Sequence, residues 1–151
     1  MLAGSVFARN TSFATSASPQ GQGGASEGGY EAGVCNIGPE EIARRRRAGH
    51  VGSLATLAIF GVLVALHLPP PVRLVVALPA AAAAIGYLQA VLRFCAGFGT
   101  RGVFNFGVVG RTEEVVDPEA RARDRSRAAQ LALASLAIGI VVAVVAVLLP
   151  V

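Results

Sequence analysis

The sequence predicts an all-α membrane protein: an antiparallel transmembrane helical hairpin, a third transmembrane helix, and a disordered N-terminal tail. Three observations carry that prediction. The 151 residues are 54% hydrophobic and only 15% charged, whereas a soluble domain carries about 25% charged residues. The apolar residues are gathered into three long blocks, and none of the blocks contains Asp, Glu, Arg or Lys. All thirteen basic residues are arginine, and they flank the blocks.

Residues 1–33 are rich in Gly, Ser, Ala and Gln and lack the apolar core of a signal peptide. Such a stretch buries too little surface to offset its ordering entropy, which predicts a tail. A hairpin domain is expected over 34–106. Gly38 is placed to cap a helix, with Pro39 at its first position. Glu40 and Glu41 fall in the first turn, where acids suit the positive end of the helix dipole. Glu40 with Arg44, and Glu41 with Arg45, make i,i+4 pairs in the favourable order. The helix should run unbroken through Arg44, Arg45, Arg46 and Arg47 into the first span, 51–68. That span reaches about 27 Å, just enough for a hydrocarbon core of about 30 Å.

Pro69, Pro70 and Pro71 should stop this helix. The second span, 74–92, follows so closely that the two must pair antiparallel, and Pro79 is expected to kink it. Five glycines and four phenylalanines between Arg93 and Val116 predict an irregular segment, with its rings at headgroup level. An arginine-rich cytoplasmic linker covers 107–128. Within it Asp117 and Pro118 are the N-cap and first residue of a new helix. Arg121, Arg123, Arg125 and Arg127 recur at every second position, which on a helix spreads them into a collar. The third span is 129–149.

With a cytoplasmic N-terminus, twelve of the thirteen arginines lie on the inner side, all but Arg73 in the hairpin turn. This positive-inside pattern predicts a multi-pass protein of the bacterial cytoplasmic (inner) membrane with its C-terminus extracytoplasmic. The partner it implies is a bilayer with anionic headgroups, where each arginine is worth about 1 kcal/mol. The net charge of +4 does not point to nucleic acid, because the arginines are not interleaved with aromatic rings that could stack on bases. Spans without ionisable groups weigh against ion-coupled transport.

Small residues recur at four-residue spacing: Gly61 and Ala65; Ala82, Gly86 and Ala90; Ser135, Gly139 and Ala143. These propose faces for close helix packing, within a homo-oligomer or a larger membrane complex. Tyr87 and Gln89 are expected to hydrogen-bond a neighbouring helix or reach the interface. His67 is expected to be a solvated interface residue. Cys35 and Cys95 sit at the two inner ends of the hairpin, where antiparallel packing could bring them together. Arginines and a helix N-terminus favour thiolate chemistry, so the pair could carry sulfur, sense redox state, or join His50 around a metal. Against this, cysteine is a common small apolar filler, and structural metal sites want four ligands. No cofactor or metal is therefore expected.

The hairpin, over about residues 34–106, resembles the YgaP-like inner-membrane transmembrane-domain family. Asn36, Gly38, Arg45 and Gly49 match its opening element, with Glu41 where an acid is common. Cys95, Phe98 and Gly102 match the close of its second helix. Ala96 stands where the family usually has proline, and the third span is an addition. The resemblance implies a hairpin with both ends cytoplasmic, sometimes appended to sulfur-transfer domains. Two readings of function follow: a non-enzymatic packing or accessory subunit, or a membrane-anchored thiol protein using Cys35 and Cys95.

Overall fold

The computed structural model describes residues 29–150; of the tail expected over 1–33, residues 1–28 lie outside them. Helix α1 spans Pro39–Ala65. A 3₁₀ helix, Pro70–Val76, leads into α2, Ala77–Val91. A short α3, Ala96–Arg101, is followed by strands β1, Val103–Phe104, and β2, Glu113–Glu114. Helix α4 spans Pro118–Leu148. Three helices are long and apolar enough to cross a membrane: Pro39–Ala65, Pro70–Val91 and Pro118–Leu148.

The helix starts fall where local chemistry places them. Gly38 precedes Pro39 in extended conformation. Asp117 accepts the amides of Glu119 and Ala120 at 3.1 and 3.2 Å, which satisfies donors that have no partner inside the helix. Helix α1 runs through all four consecutive arginines without a break. It ends three residues before the expected Leu68, because His67 turns left-handed (φ 52°) and Leu68 N–H donates back to Leu63. The prolines expected to stop α1 lie beyond its end and instead start the next helix, since proline suits a first turn. Regular α-helix begins only at Ala77, two residues before Pro79.

Helix α2 lies between α1 and α4 and runs antiparallel to both. Against α1, Gly52 meets Ala83 and Gly86 meets Gly49. A Cβ on Gly86 would lie 2.6 Å from the Gly49 nitrogen. Against α4, a Cβ on Gly139 would lie 2.5 Å from the Ala77 carbonyl oxygen. Apolar side chains gain little from meeting one another in lipid, so such close backbone approach and its dispersion contacts hold the spans together.

The expected faces are met in part. Ser135, Gly139 and Ala143 are buried, as are Gly86 and Ala90, but Ala82 is exposed. A methyl group added at Gly61 would meet no atom within 4 Å, so α1 packs through Gly49 and Gly52 instead. The other faces of α1 and α4 expose Leu54, Leu57, Leu133, Leu136 and Val141.

At the arginine-rich end the chain builds a packed layer. Strands β1 and β2 pair antiparallel, Val103 opposite Glu114, and Ile37 bridges Asn105 in parallel. Of the phenylalanine rings expected at headgroup level, Phe98 and Phe106 are half-buried, while Phe94 and Phe104 turn inward. Phe94 is fully buried against Ala128 and Leu131, and Phe104 is buried with Val115 and Ala120. The tight turn that ends α2 throws the chain back over the bundle and carries those rings with it. Residues 29–33, grouped with the tail by composition, belong to this layer: Tyr30 stacks on Phe104 with ring centroids 4.7 Å apart.

Candidate functional site

The residues singled out in the hairpin converge where the start of α1 meets the end of α2. Asn36 is fully buried. Its Oδ1 accepts the Cys95 amide at 2.6 Å, and its Nδ2 donates to the Cys95 carbonyl at 3.1 Å. One side chain thus satisfies both backbone groups of a residue 59 positions away, which buried peptide groups require. The backbone reinforces the join: the Asn36 and Ile37 amides donate to the Arg93 carbonyl, and the Asn105 amide to that of Asn36.

Arg45, two turns into α1, reaches over the same point. Its Nη2 donates to Cys95 Sγ at 3.0 Å and to Glu41 Oε2 at 3.5 Å. Its guanidinium lies 5.8 Å from the centre of the Phe98 ring, within cation–π range. Glu41 is 1% exposed, and Arg44 lies 3.7 Å from its other oxygen. A buried carboxylate flanked by two guanidiniums is compensated in charge. Gly38 presses on the backbone of Phe106, and Gly102 closes α3 in left-handed conformation (φ 69°) against Arg121. Asn36, Arg45, Cys95 and Phe98 therefore form one contiguous cluster, while Gly38, Gly49 and Gly102 pack against Phe106, Tyr87 and Arg121.

The two thiols are both free and have different surroundings. Cys95 is 2% exposed beneath Arg45. Cys35 is half-buried, its sulfur 4.0 Å from the Ile37 carbonyl oxygen, on the wall of an open cleft of about 730 Å³. Among the described residues no three of His, Cys, Asp and Glu gather as metal ligands. His50 instead pairs with Tyr87, Nδ1 to hydroxyl 2.8 Å, and Ser53 donates to the same hydroxyl at 3.3 Å. Tyr87 thus ties α2 to α1, while Gln89 is buried on α2. His67 is exposed.

The arginine collar is spread around α4. Arg123 and Arg125 are exposed, Arg127 donates to Gln130 at 3.4 Å, and Arg121 bonds the Val115 carbonyl and approaches Glu114 at 3.8 Å. Arg46 and Arg47 are exposed on α1.

Sequence reasoning passed over two anchors. Asp124, in the middle of the collar, is fully buried. Its two oxygens accept the Gly33 amide at 2.7 Å and the Tyr30 hydroxyl at 3.0 Å. Burial, and then Asp124 itself, push the Tyr30 hydroxyl well above the ordinary tyrosine range. A signal was present, since Asp124 shares the buried stripe of Ala120, Ala128 and Leu131 at helical spacing. The second anchor is Arg73. It is 4% exposed, and its Nη1 donates to the Ala146 and Leu149 carbonyls at 3.3 and 2.9 Å. A cation at the end of α4 meets the negative pole of that helix.

A helical membrane protein is the class that these spans define. No family model matches the chain, and neither a curated protein nor a solved structure resembles it at a significant level.

Proposed function

We propose that the chain is a non-enzymatic packing or accessory subunit of the bacterial cytoplasmic membrane. Its N-terminus is cytoplasmic, its C-terminus extracytoplasmic, and its arginines rest on the anionic inner leaflet. The observation that carries this reading is how the reactive side chains at the hairpin's inner end are employed. Asn36, Glu41, Arg45 and Cys95 are bonded to one another and hold the fold, while long apolar faces of α1 and α4 stay uncovered. The convergence of Asn36, Arg45, Cys95 and Phe98 also supports kinship with the YgaP-like hairpin family. A reporter fused after Val151 should be active only outside the cytoplasm. Mild-detergent purification should yield a discrete oligomer or a stoichiometric partner. A cytosolic reporter, or a lone monomer under every extraction condition, would refute the proposal.

One contact favours a second reading, a membrane-anchored thiol protein. Arg45 donates to Cys95 Sγ at 3.0 Å, which sets a cation directly against a nucleophilic atom. Replacing both Cys35 and Cys95 by serine separates the two readings. Assembly and phenotype survive if the subunit reading holds and are lost if the thiols act.

A further inference from the structure

The open cleft beside Cys35 is lined with positive charge. Arg46 reaches it from α1 and Arg93 from the end of α2, the start of α1 forms one side, and no carboxylate is among its lining residues. The acids of the first turn are engaged elsewhere: Glu40 accepts the Val109 amide at 3.2 Å, and Glu41 serves Arg44 and Arg45. Among the described residues neither Arg46 nor Arg93 has an ion-pair partner. Gly38 brings no side chain to cap α1, so first-turn amides that normally seek an acceptor are left at this end of the helix.

Arg93 adds an independent observation. It occupies the left-handed position that closes α2, with φ 51°, and the Phe94 amide donates back to Gln89 at 3.1 Å. Glycine is the usual residue at such a position. An arginine there, against backbone preference, places Arg93 on the wall of the cleft.

The remaining wall is apolar. Ile42, Ala90 and Val91 line it, and Val91 is 77% exposed at the end of a membrane-crossing helix. Positive charge at the rim and hydrocarbon below match an amphiphile with an anionic head.

We propose that this cleft is a phosphate-oxyanion site filled by the headgroup of an anionic phospholipid, whose phosphate sits between Arg46 and Arg93 and whose acyl chains run down past Val91. The site rests on the membrane reading above, but it can fail separately. A chain that does not sediment with membranes refutes that reading, whereas a membrane-bound chain with an unprotected cleft refutes only the site.

Cys35 is a built-in reporter, because its thiol lines the cleft while Cys95 is buried. The full chain in maltoside micelles is alkylated with a neutral maleimide, and labelling of the Cys35 peptide is followed by mass spectrometry. Short-chain phosphatidylglycerol should slow labelling at least about fivefold, while phosphatidylcholine and inorganic phosphate at matched concentration should not. Protection should disappear in Arg46→Gln and in Arg93→Gly, the latter chosen because glycine suits the left-handed backbone. It should persist in Arg47→Gln, which removes a neighbouring charge outside the cleft. Equal protection by inorganic phosphate overturns the lipid assignment. Equal protection by phosphatidylcholine, none by phosphatidylglycerol, or unchanged protection in Arg93→Gly overturns the site.

Discussion

The arginine-rich layer and the membrane-crossing bundle are held together by different means. In the layer, directed polar bonds join distant segments: Asn36 to Cys95, and Asp124 to Tyr30 and Gly33. In the bundle, glycines and alanines let backbones approach, as at Gly52 with Ala83 and Gly86 with Gly49. Water competes for polar groups at the layer, so its bonds count most where those groups are buried and paired. Lipid offers no such competition, and contact distance decides instead. The layer should therefore fail when a bond is removed, and the bundle when an atom is added.

The sharpest test of this contrast is Asn36→Leu, which keeps an apolar volume but strands the Cys95 amide and carbonyl. It should cost about 3 kcal/mol, two buried backbone groups losing their partners, seen as a large drop in melting temperature in detergent. Next comes Gly86→Ala, one added methyl against the backbone of α1, which should cost about 2 kcal/mol by overpacking. Its companion Gly61→Ala meets nothing within 4 Å and should be neutral or stabilising by up to about 1 kcal/mol, as Gly→Ala is in an open helix position. If both glycine variants behave alike, close approach is not what binds α1 to α2.

A smaller effect is expected from Tyr30→Phe, which keeps the ring stack and removes one bond to Asp124, costing about 1 kcal/mol. Its pH dependence has a definite sign. The folded state raises the Tyr30 hydroxyl above its ordinary value of 10.0, so the benefit of the neutral form is fully present below that pH. It is lost as pH rises further, because the unfolded chain ionises first. The stability gap between the native chain and Tyr30→Phe should stay constant from about pH 6 to 9 and narrow above about pH 10. A constant gap through pH 11 would remove Tyr30 as the titrating anchor.

Local features were readable in the residues themselves. Pro39 and Pro118 mark helix starts because proline suits a first turn, and Asp117 caps because its carboxylate reaches two amides nearby. The hairpin followed from chain length alone, since too few residues separate the first two spans for any other pairing. The layer was harder to read because its bonds join residues far apart. Tyr30 and Asp124 are separated by 94 positions, and Asn36 and Cys95 by 59. No periodicity or composition signal spans such distances. The inward turn of Phe94 depends on Arg93 adopting a left-handed backbone, which the residue type argues against. Within the candidate cluster, Arg45 and Cys95 could be named as separate residues, but their contact needs α1 and α2 in register, which Gly49, Gly52 and Gly86 set through close approach.

Helix α4 is fastened at both ends by segments that precede it in the chain. Tyr30 and Gly33 grip Asp124 near its start, and Arg73 grips the carbonyls of Ala146 and Leu149 at its finish. Piston-like sliding by a single turn, about 5.4 Å, would break both clamps together. A tilt that carries all three helices together leaves both clamps intact, whereas an axial stroke of the last helix does not.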